Sequence, residues 1–161
     1  MRVLFVCTGN ICRSPTAEGV LKQKLQARTI GHVQVDSAGT HGYHVGEAPD
    51  PRARDKAARR GYDLTDQSAR RISRDDFERF DWIVAMDSGH LRQLERLCPP
   101  QYQDRLHLFR DFIGGEHAGQ DIPDPYYGAL NGFEEVLDLV ELGCDAMLER
   151  LEISSPAKQV R

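Results

Sequence analysis

The chain has no long apolar run, no surplus of positive charge and few cysteines, and each shortage removes a class of function. Near its start the longest apolar stretch is Val3 to Val6, far below the ~18 residues a membrane span needs and too short for the apolar region of a secretory leader. A soluble, cytoplasmic protein without a membrane partner is expected. The formal net charge of -4 supplies no global basic field, which argues against nucleic acid as a partner and leaves any anionic ligand to a local site. The 4 cysteines read as free thiols of a reducing compartment rather than a disulfide framework. The 6 histidines are scattered and complete no zinc site with Cys7 and Cys12, so neither a metal nor another cofactor is expected.

What is present is an apolar share of 40% against 29% charged residues, enough for a core and too apolar for disorder. The 161 residues fit one domain, assigned to 1–153, with 154–161 as a loose tail. Val3 to Val6 reads as a strand buried on both faces and ending at Cys7. Beyond a loop containing Gly9, Ser14 and Pro15 look like the cap and first residue of a helix carrying Ala17, Leu21 and Leu25 at four-residue spacing. A strand over 32–38, a helix from Asp50-Pro51 to a Gly61 stop, and a capping box at Ser73 and Asp76 opening a short helix around Phe77 and Phe80 follow. Then come a buried strand over 82–86, a helix halted by Pro99-Pro100, a weak strand near Leu106, Leu108 and Phe109, a loop from Arg110 to Gly128, and an amphipathic helix from Phe133 to Leu151. Such alternation predicts an α/β fold: a parallel sheet with helices on both faces and its ligand at the carboxyl ends of the strands.

The loop after the first strand carries the chemistry. Cys7-Thr8-Gly9-Asn10-Ile11-Cys12-Arg13-Ser14 places an arginine six residues after a cysteine, a spacing that 17 arginines produce by chance for roughly one cysteine in nine. Cys144 and Arg150 repeat that spacing inside the last helix, without strand, glycine or helix start, and Cys144 reads there as core. The first pair sits between a buried strand and a helix start, where inward N–H groups and the helix dipole form a cradle for a tetrahedral oxyanion. Gly9 is expected to permit the turn, Arg13 to grip two phosphate oxygens, and Cys7 to face the phosphorus. A free thiol is only a few per cent ionised at neutral pH, so a sulfur nucleophile needs its anion favoured by about 3 kcal/mol. The helix terminus, the loop amides, the Ser14 hydroxyl and the Arg13 charge are the groups at hand to supply it. An aryl or alkyl oxygen leaving the phosphorus also needs a proton, and Asp124, held between Pro123 and Pro125 and followed by Tyr126 and Tyr127, is the candidate donor.

The stretch VCTGNICRSPTAEG together with DPYYG resembles the low-molecular-weight protein tyrosine phosphatase family, and the similarity continues through DSAGT, Tyr43, APDPRA and Met86-Asp87. The resemblance implies a flavodoxin-like, four-stranded parallel sheet and a phosphocysteine intermediate, with Cys7 as nucleophile, Arg13 on the phosphate and Asp124 as acid and then base. It also implies a phosphate loop of Thr8, Gly9, Asn10, Ile11, Cys12 and Ser14, hydrogen-bond support from Asn10, Ser14 and Ser37, and a pocket of Tyr43, His44, Tyr126 and Tyr127. The implied partner is a tyrosine-phosphorylated protein or peptide. A cysteine at the Cys12 position forms a reversible disulfide with the nucleophile in some relatives, which makes redox sensitivity an expectation here. Gln67 stands where animal members often carry a histidine, so any network built on that ring is rebuilt. Ile11 favours phosphotyrosine, since relatives acting on phosphoarginine carry threonine there. No oligomeric state is assigned.

A thiol-dependent arsenate reductase shares this fold but needs two further cysteines close together, whereas Cys98 and Cys144 are far apart in the chain. A non-catalytic phosphopeptide-binding module would need neither Cys7 nor Asp124. Cys98 is expected to be helix-end core. Arg52, Arg54, Arg59 and Arg60 are expected to form a solvated helix face, with guidance of acidic phosphopeptides as the lesser reading.

Overall fold

The computed structural model describes residues 1–126 and 131–153. The expected tail at 154–161 and the pocket residue Tyr127 lie outside the described residues. The strands β1 (Arg2–Cys7), β2 (Gln34–Gly39), β3 (Trp82–Ala85) and β4 (Leu106–Leu108) form one parallel sheet in the order β2-β1-β3-β4. β1 is central because nothing on it needs water: Val3, Leu4, Phe5 and Val6 are wholly buried, each contributing about 2 kcal/mol. Alternate residues face opposite layers. Val3, Phe5 and Cys7 pack with the helices α1 (Arg13–Ala27), α2 (Pro51–Arg59) and α5 (Gly132–Ile153). Leu4 and Val6 pack with Phe77 of the one-turn helix α3 (Asp76–Arg79) and Leu94 of α4 (Ser88–Leu97). Helices thus cover both faces, as the alternation of elements requires.

The order of strands locates the site. From β1 the chain crosses to β2 on one side, then passes back over β1 to reach β3 on the other, so the direction of winding reverses between β1 and β3. Ligands of open α/β sheets bind outside the carboxyl ends at such a reversal. Here those ends are Cys7 and Ala85.

Several local expectations are corrected. Ser14 is not the cap of α1: the helix begins at Arg13 with Cys12 in the cap position and no side-chain cap, because the Ser14 hydroxyl is engaged 2.9 Å from Cys7 Sγ. Only half of the capping box forms at α3: Asp76 accepts the Ser73 N–H at 2.7 Å, but the Ser73 hydroxyl turns to the same carboxylate at 3.3 Å. Phe109 leaves the weak strand and opens a 3-10 turn over Phe109–Phe112, its ring packed against Phe5 at 6.0 Å between centroids. The long loop carries a second 3-10 turn at Gly115–His117.

The expected arginine face along and just past α2 is solvated only in part: Arg52 and Arg59 stay exposed, whereas Arg60 is drawn into an ion-pair cluster. Arg60 pairs with Glu134, Asp138 and Glu141 of α5, and Arg52 lies over the rings of Tyr126 and Phe133. Acidic residues of a distant helix, unreadable from the local pattern, claim Arg60. Among the described residues no helix is long and apolar enough to cross a membrane. Cys98 and Cys144 are both buried, as expected of core cysteines.

Gly143 of α5 lies against Phe109, where an added Cβ would sit 2.2 Å from ring carbon Cε1. Replacing a helical glycine by alanine ordinarily stabilises by about 1 kcal/mol. Gly143→Ala is expected instead to destabilise by about 1–3 kcal/mol in urea unfolding, through overpacking against a wholly buried ring.

Candidate active site

The loop from Thr8 to Cys12 is held by its carbonyls from outside. Thr40 N–H donates to Cys7 O at 2.9 Å, His41 N–H to Thr8 O at 3.0 Å and Asp50 N–H to Ile11 O at 2.8 Å. The backbone N–H groups of residues 9–13 have no protein acceptor among the described residues, which is the arrangement of an anion cradle. Gly39, at the end of β2, allows the approach: a Cβ there would lie 2.7 Å from Thr8 O and 3.2 Å from Asn10 N.

The turn itself does not fall where the sequence placed it. Asn10, not Gly9, occupies the left-handed region, with φ at 58°. Gly9 is needed for space, since a Cβ would come within 2.9 Å of His44 Cδ2. Asn10 is nearly fully buried and spends every polar atom of its side chain. Nδ2 donates to Ser14 Oγ at 2.8 Å and to Ser37 Oγ at 2.9 Å, while Oδ1 accepts the Arg70 N–H at 3.0 Å. Ser37 in turn donates to Glu18 Oε1 at 2.6 Å, and Glu18 also pairs with Lys22. Burial raises the Glu18 carboxyl above its usual range, against the opposing pull of Lys22 and Ser37. With Asn10 donating to Ser14 Oγ, the Ser14 hydroxyl hydrogen is left for Cys7 Sγ. The supporting roles expected of Asn10, Ser14 and Ser37 are therefore those of one continuous chain, ended by Glu18, a buried acid that the sequence reading passed over. Gln67 donates to Pro15 O at 2.9 Å.

Arg13 is buried and already half committed. Nη1 donates to Asp87 Oδ2 at 2.8 Å and to Ile122 O at 2.9 Å, leaving Nε and Nη2 as the edge able to grip an oxyanion. Asp87 follows β3 and caps α4 by accepting His90 N–H at 2.8 Å. Burial opposes its ionisation, but the His90 N–H, the His90 ring and Arg13 together hold its carboxyl below the usual range. His90 Nε2 sits 2.7 Å from Thr8 Oγ1, joining α4 to the phosphate loop. Neither Asp87 nor His90 received a role from sequence. The signal for Asp87 was its place at a strand's carboxyl end beside the reversal.

Asp124 arrives from the far side of the sheet. Wholly buried Ile122 anchors its segment through an N–H to Met86 O at 2.9 Å, and Asp121 accepts Ser88 N–H at 2.8 Å. Asp124 Oδ1 accepts Tyr126 N–H at 3.0 Å, and Oδ2 lies 3.6 Å from Arg13 Nη2. Cys7, Thr8, Gly9, Ile11, Cys12, Arg13, Tyr43, His44, Asp124 and Tyr126 line one cleft of about 150 Å³. Of the expected pocket residues, Tyr43 is exposed and stacked on His41 at 5.2 Å, and His44 pairs with Glu47. Burial, then Asp50 and Cys7, pushes the Cys12 thiol up, which makes it a poor nucleophile. Among the described residues no group of three or more His, Cys, Asp or Glu is placed to hold a metal ion.

Residues 2–157 match the family model described as low molecular weight phosphotyrosine protein phosphatase. A low molecular weight protein-tyrosine-phosphatase of Streptomyces coelicolor is 47% identical over 150 residues, covering 91% of each chain. A low molecular weight phosphotyrosine protein phosphatase of Drosophila melanogaster is 41% identical over 94% of this chain and 97% of that one. The crystal structure of a protein tyrosine phosphatase from Entamoeba histolytica superposes with a TM-score of 0.89 at 40% identity, over 94% of this chain and 97% of that one.

Burial drives His90 down from 6.5 to about 4, with Asp87 opposing and Arg13 assisting. The unfolded chain therefore takes up this proton first, and stability is lost as pH falls from about 6.5 to about 4, by about 3 kcal/mol in all. His90→Asn is expected to flatten that limb in urea midpoints recorded between pH 7 and pH 4.

Proposed function

The chain belongs to the low molecular weight phosphotyrosine protein phosphatase family, and on that premise we propose that it hydrolyses phosphotyrosine in proteins or peptides through a phosphocysteine on Cys7. The observation that carries the mechanism is the meeting in one cleft of Cys7, the free edge of Arg13 and Asp124, residues from opposite ends of the chain. The phosphoryl group sits in the loop amides with two oxygens on Nε and Nη2 of Arg13, which balance charge as the transition state spreads it over those oxygens. Ser14 donates to the sulfur and favours its anion. The Cys7 sulfur then forms a bond to phosphorus as the bond from phosphorus to the phenolic oxygen breaks.

The departing oxygen takes a proton from Asp124. Since Oδ1 is occupied by the Tyr126 N–H, the proton is carried on Oδ2. In the second step a water oxygen attacks the phosphocysteine, its proton passes to the Asp124 carboxylate, the sulfur leaves as thiolate, and inorganic phosphate is released. Tyr43, His44 and Tyr126 at the mouth offer an apolar and aromatic wall to the phenyl ring, and Ile11 lines the same cleft. The activity belongs to one domain, residues 1–153. Four free, buried thiols suit a reducing compartment and support a cytoplasmic setting.

Cys7→Ser is expected to abolish turnover of p-nitrophenyl phosphate in the presence of EDTA. Asp124→Ala is expected to lose about 10²-fold or more with phenyl phosphate and much less with nitrated phenyl esters, whose leaving groups need little protonation. Normal turnover by Cys7→Ser would sink the mechanism.

A further inference from the structure

Arg52 of α2 lies beside the cleft, and the mechanism above gives it nothing to do. Its guanidinium is fixed on two sides. On one side Nε and Nη2 grip the Asp50 carboxylate at 3.1 and 2.8 Å, and Asp50 N–H is bonded to Ile11 O of the phosphate loop. On the other side Nη1 and Nη2 lie 3.5 and 3.4 Å from Tyr126 O, and the group is 5.5 Å from the Tyr126 ring centroid and 4.8 Å from that of Phe133. The same Tyr126 supplies the N–H that orients Asp124 Oδ1. Gly132, beside Phe133, presses on Pro125, where an added Cβ would meet Pro125 Cβ at 3.4 Å.

We propose that Arg52 is a positioning residue for the general acid, a strut that spans from the phosphate loop to the turn carrying Asp124 and sets the distance between them. The inference rests on the reading of Asp124 as proton donor. Asp124 has its own local tether, but that tether fixes the carboxylate to its own turn and not to the phosphate loop. Side chains join it to the phosphate loop through Arg13, 3.6 Å away and needed for substrate, through His44, whose ring lies 6.4 Å from that of Tyr126, and through Arg52, which reaches the Tyr126 carbonyl. A planar guanidinium is suited to the task because its edge holds Asp50 while its face lies over two rings; a lysine ammonium offers neither fork nor face.

The discriminating measurement is leaving-group dependence in the full-length enzyme. R52A is expected to lower kcat/KM about tenfold more for phenyl phosphate than for a dinitrophenyl ester, because only the former needs the acid in place. In the D124A background the same change is expected to have no further selective effect, since the group it positions is gone. R52K is expected to behave like R52A, and it carries the comparison should R52A fold poorly. An equal loss on both esters, no loss on either, or an undiminished selective loss in D124A would each overturn the assignment. If D124A itself shows no leaving-group selectivity, the role of Asp124 fails first, which separates that failure from failure of the strut.

Discussion

A left-handed asparagine in the middle of the phosphate loop is the constraint on which the rest depends. Asn10 holds that backbone conformation because its buried amide has no other place to put its hydrogen bonds: two hydroxyls and one backbone N–H take all of them. An unsatisfied buried polar group costs about 1–3 kcal/mol, so moving Asn10 would expose several such costs at once. The loop is thereby kept with its carbonyls outward and its amides inward before any substrate arrives. Preorganised dipoles of this kind need no rearrangement at the moment of reaction, which is where their catalytic value lies.

The sheet topology supplies the second half of the site. Reversal of winding between β1 and β3 sets Cys7 beside the segment that continues into Asp87, and Asp87 turns Arg13 so that one nitrogen is spent on structure and the remaining edge faces the ligand. His90 couples the same segment to Thr8. A buried neutral imidazole there keeps the loop and α4 in register without adding a positive charge next to Arg13.

Asp124 differs in character from these groups. It is half exposed, on a turn anchored by Ile122 and Asp121 behind it and by Arg52 beside it. A carboxylate proposed to give a proton and then take one from water benefits from solvent access, whereas an anion cradle benefits from burial. The two halves of the chemistry thus sit in different environments on the same rim.

Much of this was legible in the residues alone, and for a local reason. The continuous apolar run of β1, the Asp50-Pro51 cap, the proline stop after α4 and the spacing of the last helix each depend on neighbours within a few positions, so pattern and propensity suffice. Cys7, Arg13 and Asp124, proposed here as nucleophile, phosphate clamp and acid, were marked by chemistry that only certain residue types at certain places can perform. What the pattern misplaced, the Ser14 cap, the turn at Gly9 and the solvation of Arg60, were positions where a tertiary arrangement outbid the local preference. Asn10 meets Arg70, Arg13 meets Asp87 and Ile122, and Arg60 meets Glu134, partners 60, 74, 109 and 74 residues away. Such pairings exist only after the sheet has assembled. The sequence by itself therefore determined which groups carry the proposed chemistry, and the tertiary structure alone decided which atoms of those groups remain free for it.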